Sequence, residues 1–318
     1  MRLKLGVLGA GHFGRFHTLK AAKAPRVEFL GLADADPARA ETVAAEAGCK
    51  VWEAPALMAA ADAVIIAAPT AFHHGLASAA LAAGCHVFVE KPIAATLEQA
   101  DALVAQAAAA GRVLQVGHIE RFSAGMATLS GSAGVGRALY MEAVRIAPFR
   151  PRSLDVSVVL DLMIHDLDLV LSLAGSELVA VEAVGAAVAS QRTDIANARL
   201  RFANGTQATI TASRASLKME RRLRVFGTEG YASLDFLARE LKLVRKGQGE
   251  PLEQVPGHGI ELLSWQDRDN LEAEQGAFVA ACLDGAPVVV DGRAGRAALD
   301  AALRVEAAVA ASLSAALG

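Results

Sequence analysis

Cysteine is scarce and unpatterned. The 318 residues hold three, Cys49, Cys85 and Cys282, with no C-x-x-C pair and no metal spacing. That argues against a disulfide-stapled scaffold and a zinc site, and reduced, partly buried thiols in a cytoplasmic protein are expected. No basic block occurs and the formal net charge is −3, so nucleic acid is not an expected partner. Long uninterrupted apolar runs are missing too. The run that begins at Leu3 is broken by glycines and has no cleavage-site pattern, which argues against a signal peptide. The alanine-rich stretches 100–110 and 297–316 contain Asp101, Gln106, Asp300, Arg304 and Glu306. Alanine carries little transfer energy, so helices in water are expected there and no membrane partner.

What is present is a globular composition, 53% hydrophobic and 20% charged, on a chain long enough for two domains. Leu3–Leu8 reads as a strand, followed by Gly9-Ala10-Gly11-His12-Phe13-Gly14 and a helical stretch. G-x-G-x-x-G in strand–turn–helix context is specific because each glycine has a task. One makes the turn, one admits a pyrophosphate to the backbone, and one lets helix and strand pack closely. The helix start then offers N–H groups to the phosphates, which places His12 and Phe13 beside the cofactor. Val27–Ala33 is a second strand, and Asp34 stands 20 residues past Gly14. An acid there takes the ribose 2′-hydroxyl and repels a 2′-phosphate. Ala35 follows, with no arginine beside it, which favours NAD over NADP. Asp36-Pro37 opens the next helix, and Gly48 closes it.

Ala63–Ala68 is a buried strand ending in Pro69-Thr70, with His73 in the following helix. The run 86–89 ends in Glu90-Lys91-Pro92, an acid, a base and a proline at a strand end. Ligands of open parallel sheets bind at the carboxyl ends of the strands. Thr96 with Gln99 forms a capping box, and Val113–Val116 leads to Gly117-His118. Strands and helices alternate throughout, so a doubly wound parallel sheet is expected.

The pattern changes after residue 119. Strands are expected at 139–146, 178–188, 196–202, 206–213, 222–226 and 231–236, separated by glycine turns. The fold class is therefore α/β: a Rossmann domain over 1–119, then an α+β domain over 120–318 with a large, mostly antiparallel open sheet. Residues 242–270 are polar and read as a loop. Helices close the chain at 272–283 and 293–314, the last of them a candidate to pack back on the first domain. Asp161, His165 and Asp168 fall at i, i+4 and i+7, one stripe of a helix. A carboxylate four residues from a histidine can fix its tautomer, which makes His165 a candidate base with Asp161 as its orienter. A polar stripe facing solvent would look the same.

With the glycine loop, Asp34, Glu90-Lys91-Pro92 and Asp161-x-x-x-His165 in this order, the whole chain resembles the Gfo/Idh/MocA oxidoreductases. The resemblance implies that Lys91 and His165 flank the reacting carbinol beside the nicotinamide, and that the Lys91–Pro92 bond is often cis. It implies cofactor contacts from Pro69, Thr70, His73 and Glu90, with threonine where the family has asparagine. The stretches Gly117–Phe122, Asp161–Asp166 and Asp194–Arg199 look like a branch that oxidises the 3-hydroxyl of UDP-N-acetylglucosamine, before an aminotransferase acts on the route to lipid A. His118, Arg121, Arg145, Arg150 and Arg152 are then candidate substrate contacts, since arginine suits a pyrophosphate. A homodimer or homotetramer paired through the open sheet is implied. Lys91 serves as the polarising cation if His165 is the base, and as the base if His165 only positions. Two rival readings are an inositol or aldose dehydrogenase of the same family and a non-catalytic dinucleotide sensor, which need not keep Lys91, Asp161 and His165 together.

Overall fold

A computed structural model describes residues 1–132, 134–150, 156–266 and 268–317. The N-terminal part alternates strand and helix as expected. In order come β1 (Leu3–Leu8), α1 (His12–Ala21), β2 (Val27–Ala33), α2 (Pro37–Ala47), α3 (Ala54–Ala60), β3 (Ala63–Ile66), α4 (Thr70–Ala82), β4 (His86–Glu90), α5 (Leu97–Ala110) and β5 (Leu114–Gly117). The strands pair in parallel, in the order β2-β1-β3-β4-β5. Both faces of such a sheet are covered by helices, so its inner strands read as continuous apolar runs; all four residues of β3 are fully buried. The strand order reverses between β1 and β3, the position at whose carboxyl ends open parallel sheets bind their ligands. Asp36 caps α2 by accepting from the Arg39 amide, and Gly48 ends it in the left-handed region. Thr96 caps α5 in the same way, through Gln99 N–H.

The later part holds α6 (Ala124–Gly131), β6 (Ala138–Ile146), a π-helical turn (Val159–Met163), α7 (Ile164–Ala174), β7 (Leu178–Ala186), β8 (Ile195–Phe202), β9 (Gln207–Ser213), β10 (Glu220–Gly227), β11 (Gly230–Asp235), β12 (Glu240–Lys246), β13 (Glu250–Pro251) and β14 (His258–Ser264). Its nine-stranded sheet runs β13-β14-β12-β11-β10-β6-β9-β8-β7. Every pairing is antiparallel except β6 with β9. Residues 242–270, expected as a loop, instead supply most of the last three strands. Leu241 and Leu243 are the buried positions of β12, while Leu262 of β14 is 60% exposed. β12 alternates at Leu241 and Leu243, but half of that pair lies before residue 242; β13 has only two residues and β14 leaves Leu262 in solvent, so neither of these shows a period.

Two last helices, α8 (Asn270–Asp284) and α9 (Gly292–Leu317), complete the chain. By contacts the molecule divides into one unit of Met1–Phe122 with Asp269–Leu299, and a second of Ser123–Arg268 with the residues from Asp300 onward. The first stretch ends three residues past the expected division at 119, and the segment grouped with it is α8 with the first turns of α9. The reason is packing. Phe278 and Val279 of α8 are buried in one apolar cluster with Leu5, Val7, Ile65 and Phe88, and the rings of Phe88 and Phe278 lie 5.8 Å apart edge to face.

Candidate active site

The first unit gathers its candidate residues at the carboxyl edge of the parallel sheet. Gly9 follows β1 at a φ of 108°, in the left-handed region that favours glycine. A Cβ on Gly14 would lie 2.1 Å from the Gly9 carbonyl oxygen, so α1 presses directly on the loop. At Gly11, the N-cap of α1, a Cβ would meet nothing within 4 Å. No side chain caps this helix and no acid sits in its first turn. The residues therefore fit a pyrophosphate: open space, free N–H groups, and no competing carboxylate. His12 and Phe13 are both exposed at the helix start, and the His12 ring meets Phe13 and Phe16 edge to face.

Asp34 stands at the end of β2. Its Oδ2 accepts from Ala10 N–H at 2.5 Å, and Oδ1 accepts from Asp36 N–H at 2.8 Å. The carboxylate thus ties the glycine loop to the end of β2. Arg39 Nη2 also donates to Oδ1, at 3.2 Å. The expectation of no arginine near Asp34 is corrected here, because the first turn of α2 brings Arg39 back over five residues. Asp34→Ser is expected to weaken NAD binding on the order of 10- to 100-fold, the scale of a hydrogen bond to a charged group. It should also erode the preference over NADP, since Arg39 loses its carboxylate. Titrating each dinucleotide against protein fluorescence checks this; an unchanged NAD/NADP ratio would mean that Asp34 serves the loop alone.

At the end of β3, Pro69 is the N-cap of α4 and Thr70 its first residue. His73 is buried. Its Nδ1 lies 2.8 Å from the Pro92 carbonyl oxygen and its Nε2 2.8 Å from that of Ala68. The ring joins the two loops that leave β3 and β4, which is a bracing position, not a solvent-facing one. The Lys91–Pro92 bond is cis. Lys91 is half-buried, and its backbone N–H donates to Glu90 Oε2 at 3.2 Å. Glu90 Oε1 lies 2.8 Å from His17 Nε2. His17 was not among the expected residues; the only sequence signal for it is a histidine on the inward face of α1, one turn past Gly14.

His118, just past β5, is buried, and Arg121 lies in the 3-10 turn Ile119–Phe122. Arg150 is exposed beyond β6; Arg152 falls outside the described residues. Arg145 corrects the expectation made for it. Its Nε donates to Asp166 Oδ2 at 2.7 Å and its Nη2 to Oδ1 at 3.0 Å, with both side chains only 5% exposed. Nε and Nη2 are committed to a buried bidentate pair that anchors α7 to β6, which leaves little of the guanidinium exposed to a substrate phosphate.

Asp161 lies in the π-helical turn and His165 in the first turn of α7. Both are half-buried, whereas Asp168 is 1% exposed. Along the expected stripe, burial deepens from Asp161 and His165 to Asp168. Single π turns recur at functional sites. This one starts firmly: Ser157 Oγ accepts from Leu160 N–H at 3.3 Å, and Val158 N–H donates to the Thr193 carbonyl at 2.8 Å. Thr193 belongs to a turn built on Asp194, fully buried, whose Oδ2 accepts from the backbone N–H of Val188, Ala189 and Ser190. Oδ1 accepts from Ser190 Oγ and from Arg214 Nε, both at 2.8 Å. Burial opposes ionisation of Asp194, but these donors outweigh it and hold the carboxyl far below the ordinary range. Among the described residues no three His, Cys, Asp or Glu side chains gather as metal ligands. None of their helices is long and apolar enough to cross a membrane.

Comparison with known proteins follows the same division. Residues 3–118 match the family described as oxidoreductase family, NAD-binding Rossmann fold, and residues 139–233 match the GFO/IDH/MocA C-terminal domain. A UDP-N-acetylglucosamine 3-dehydrogenase of Acidithiobacillus ferrooxidans is 43% identical over 98% of this chain and 99% of its own. A solved structure of that enzyme, GnnA, superposes with a TM-score of 0.92 over 98% of both chains. An inositol 2-dehydrogenase of Rhizobium meliloti is 30% identical over 96% of this chain and 97% of its own. The fold, though little sequence, is shared with a scyllo-inositol dehydrogenase of Lactobacillus casei solved with NAD(H) and scyllo-inositol: TM-score 0.80 and 21% identity, over 98% of both chains.

Proposed function

Because the chain belongs to the Gfo/Idh/MocA oxidoreductase family, we propose that it is an NAD-dependent dehydrogenase that oxidises the 3-hydroxyl of UDP-N-acetylglucosamine to the 3-keto sugar. The observation that carries the substrate is the end-to-end likeness to the A. ferrooxidans enzyme. NAD supplies the acceptor for the hydride that leaves C3. The hydroxyl proton passes to His165, which Asp161 orients, and Lys91 supplies positive charge to the oxygen as it becomes a carbonyl. Histidine needs less tuning than lysine to act as a base near neutral pH, which favours this assignment over the reverse. Glu90 supports Lys91. His118, Arg121 and Arg150 are the remaining substrate candidates of the described residues.

A 3-keto sugar is a substrate for an aminotransferase, which fits a step toward amide-linked lipid A in the cytoplasm. Exposed apolar side chains on the second sheet, among them Leu139, Tyr140, Val184 and Ile195, support pairing into a homodimer or homotetramer. The second reading, inositol oxidation, rests on the more distant R. meliloti relative. Reduction of NAD is to be measured with UDP-N-acetylglucosamine, myo- and scyllo-inositol and simple aldoses. The expected result is turnover of the nucleotide sugar alone, with a kcat/KM of about 10⁴ M⁻¹s⁻¹ or more. Preferential turnover of an inositol would replace the proposal with the second reading.

A further inference from the structure

The Glu90 carboxylate raises a question that the reaction does not answer. It is 9% exposed, and a buried carboxylate is costly unless donors surround it. Two donors are in place. One is the Lys91 backbone N–H on Oε2, at 3.2 Å. The other is the His17 ring, whose Nε2 lies 2.8 Å from Oε1. Gly117 leaves the room: a Cβ there would lie 2.8 Å from Oε2.

The tautomer of His17 follows from its other side. Gln275 Nε2 lies 2.8 Å from His17 Nδ1 and 3.1 Å from the His17 carbonyl oxygen. A carbonyl only accepts, so the amide end facing it must be the nitrogen. That nitrogen donates, so Nδ1 accepts. The ring proton is therefore on Nε2, where it points at the Glu90 carboxylate. The chain of donors runs from Gln275 on α8, through His17 on α1, to Glu90 at the tip of β4.

His17 is fully buried and its ring lies 5.1 Å from that of Phe88. It stands on the helix that Gly14 presses against the Gly9 carbonyl. One side chain thus couples the loop suited to a pyrophosphate to the strand end that carries Lys91. We propose that His17 is a positioning residue for hydride transfer, holding Glu90 through Nε2–H and so fixing Lys91 relative to the dinucleotide loop. The inference rests on the NAD-dependent reading above. Neither the glycine motif nor Glu90-Lys91-Pro92 includes it.

The test compares His17→Phe, which keeps the ring but loses both bonds, with His17→Gln, whose amide nitrogen can reach the Nε2 position. Two readouts are needed. The first uses no sugar: the rate at which trinitrobenzenesulfonate labels Lys91 in NAD-loaded protein, followed by peptide mass spectrometry. His17→Phe is expected to change it at least about threefold, and His17→Gln to return it to within about twofold of the unaltered protein. The second is steady-state oxidation of UDP-N-acetylglucosamine. His17→Phe is expected to lower kcat about 10- to 100-fold, the scale of a small misplacement of a reacting group, with KM for NAD within about threefold. If His17→Phe does not fold, His17→Asn takes its place, since its shorter amide reaches Gln275 but not Glu90. Folded His17→Phe or His17→Asn protein with unaltered labelling and kcat would overturn the proposal, as would a His17→Gln protein as impaired as either. Failure of the unaltered protein to oxidise the sugar would sink the substrate assignment, and the labelling comparison would still decide the role of His17.

Discussion

Lys91→Met is expected to lower kcat for sugar oxidation about a thousandfold, within the range that a positioned proton-transfer or charged group contributes. Methionine keeps most of the apolar stem and removes only the charge and its donors. NAD affinity should stay within a few-fold, because the loop, Asp34 and the start of α1 are untouched. His165→Gln should cost a similar factor, and the pH profile separates the two assignments. With His165 as the base, the acid limb of kcat/KM disappears in His165→Gln and persists in Lys91→Met. With Lys91 as the base the pattern reverses. A Lys91→Met protein that keeps more than about a tenth of its activity would refute any role for Lys91 in the chemical step.

The second large effect lies away from the chemistry. Asp194→Ala is expected to cost about 3–5 kcal/mol of stability, because it strands the buried Arg214 and three backbone N–H groups at once. Urea denaturation followed by circular dichroism measures it. The pH dependence has a definite sign. The folded carboxyl is depressed, whereas an unfolded aspartate titrates near about 3.9. The stabilisation is therefore complete above about pH 5, and it is lost as pH falls through the folded value. The gap between the parent protein and Asp194→Ala should narrow steadily below about pH 4. A constant gap from pH 7 to 3 would mean that the ionised carboxylate is not what the turn depends on. Activity should fall with stability, since Thr193, the neighbour of Asp194, holds Val158 at the start of the turn that carries Asp161.

Gly9, Gly11 and Gly14 were legible in the sequence because a backbone that turns tightly, admits a phosphate and touches a helix tolerates no side chain at fixed spacings. Asp34 and Lys91 were legible because strand–helix alternation puts every strand's carboxyl end on one edge, so a residue just past a strand has its location fixed by local pattern. Asp161 and His165 were legible as a four-residue spacing on a helix. The strands of the second sheet that bury one face showed through their alternation.

Other features depended on partners far apart in the chain. His17 and Glu90 are separated by 73 positions, and His17 and Gln275 by 258. No local period records such a contact, so a buried histidine on α1 reads only as an apolar-face residue. Arg145 read as a phosphate contact until Asp166, 21 positions on, took its fork. Arg39 stands five positions past Asp34, and the first turn of α2 brings it to the carboxylate. Of the strands in 240–264, β13 is two residues long and β14 leaves Leu262 exposed, so neither shows a period, and α8 belongs to the first unit because Phe278 is buried in one cluster with Phe88 and Leu5. The glycine loop, the NAD acid, the Glu90-Lys91-Pro92 strand end and the family can all be read from the order of residues, since each is a short-range pattern imposed by backbone geometry. Which buried charges hold those groups in place depends on the folded packing, because a buried charge is satisfied by whichever donor the packing brings, and packing is not written in spacing.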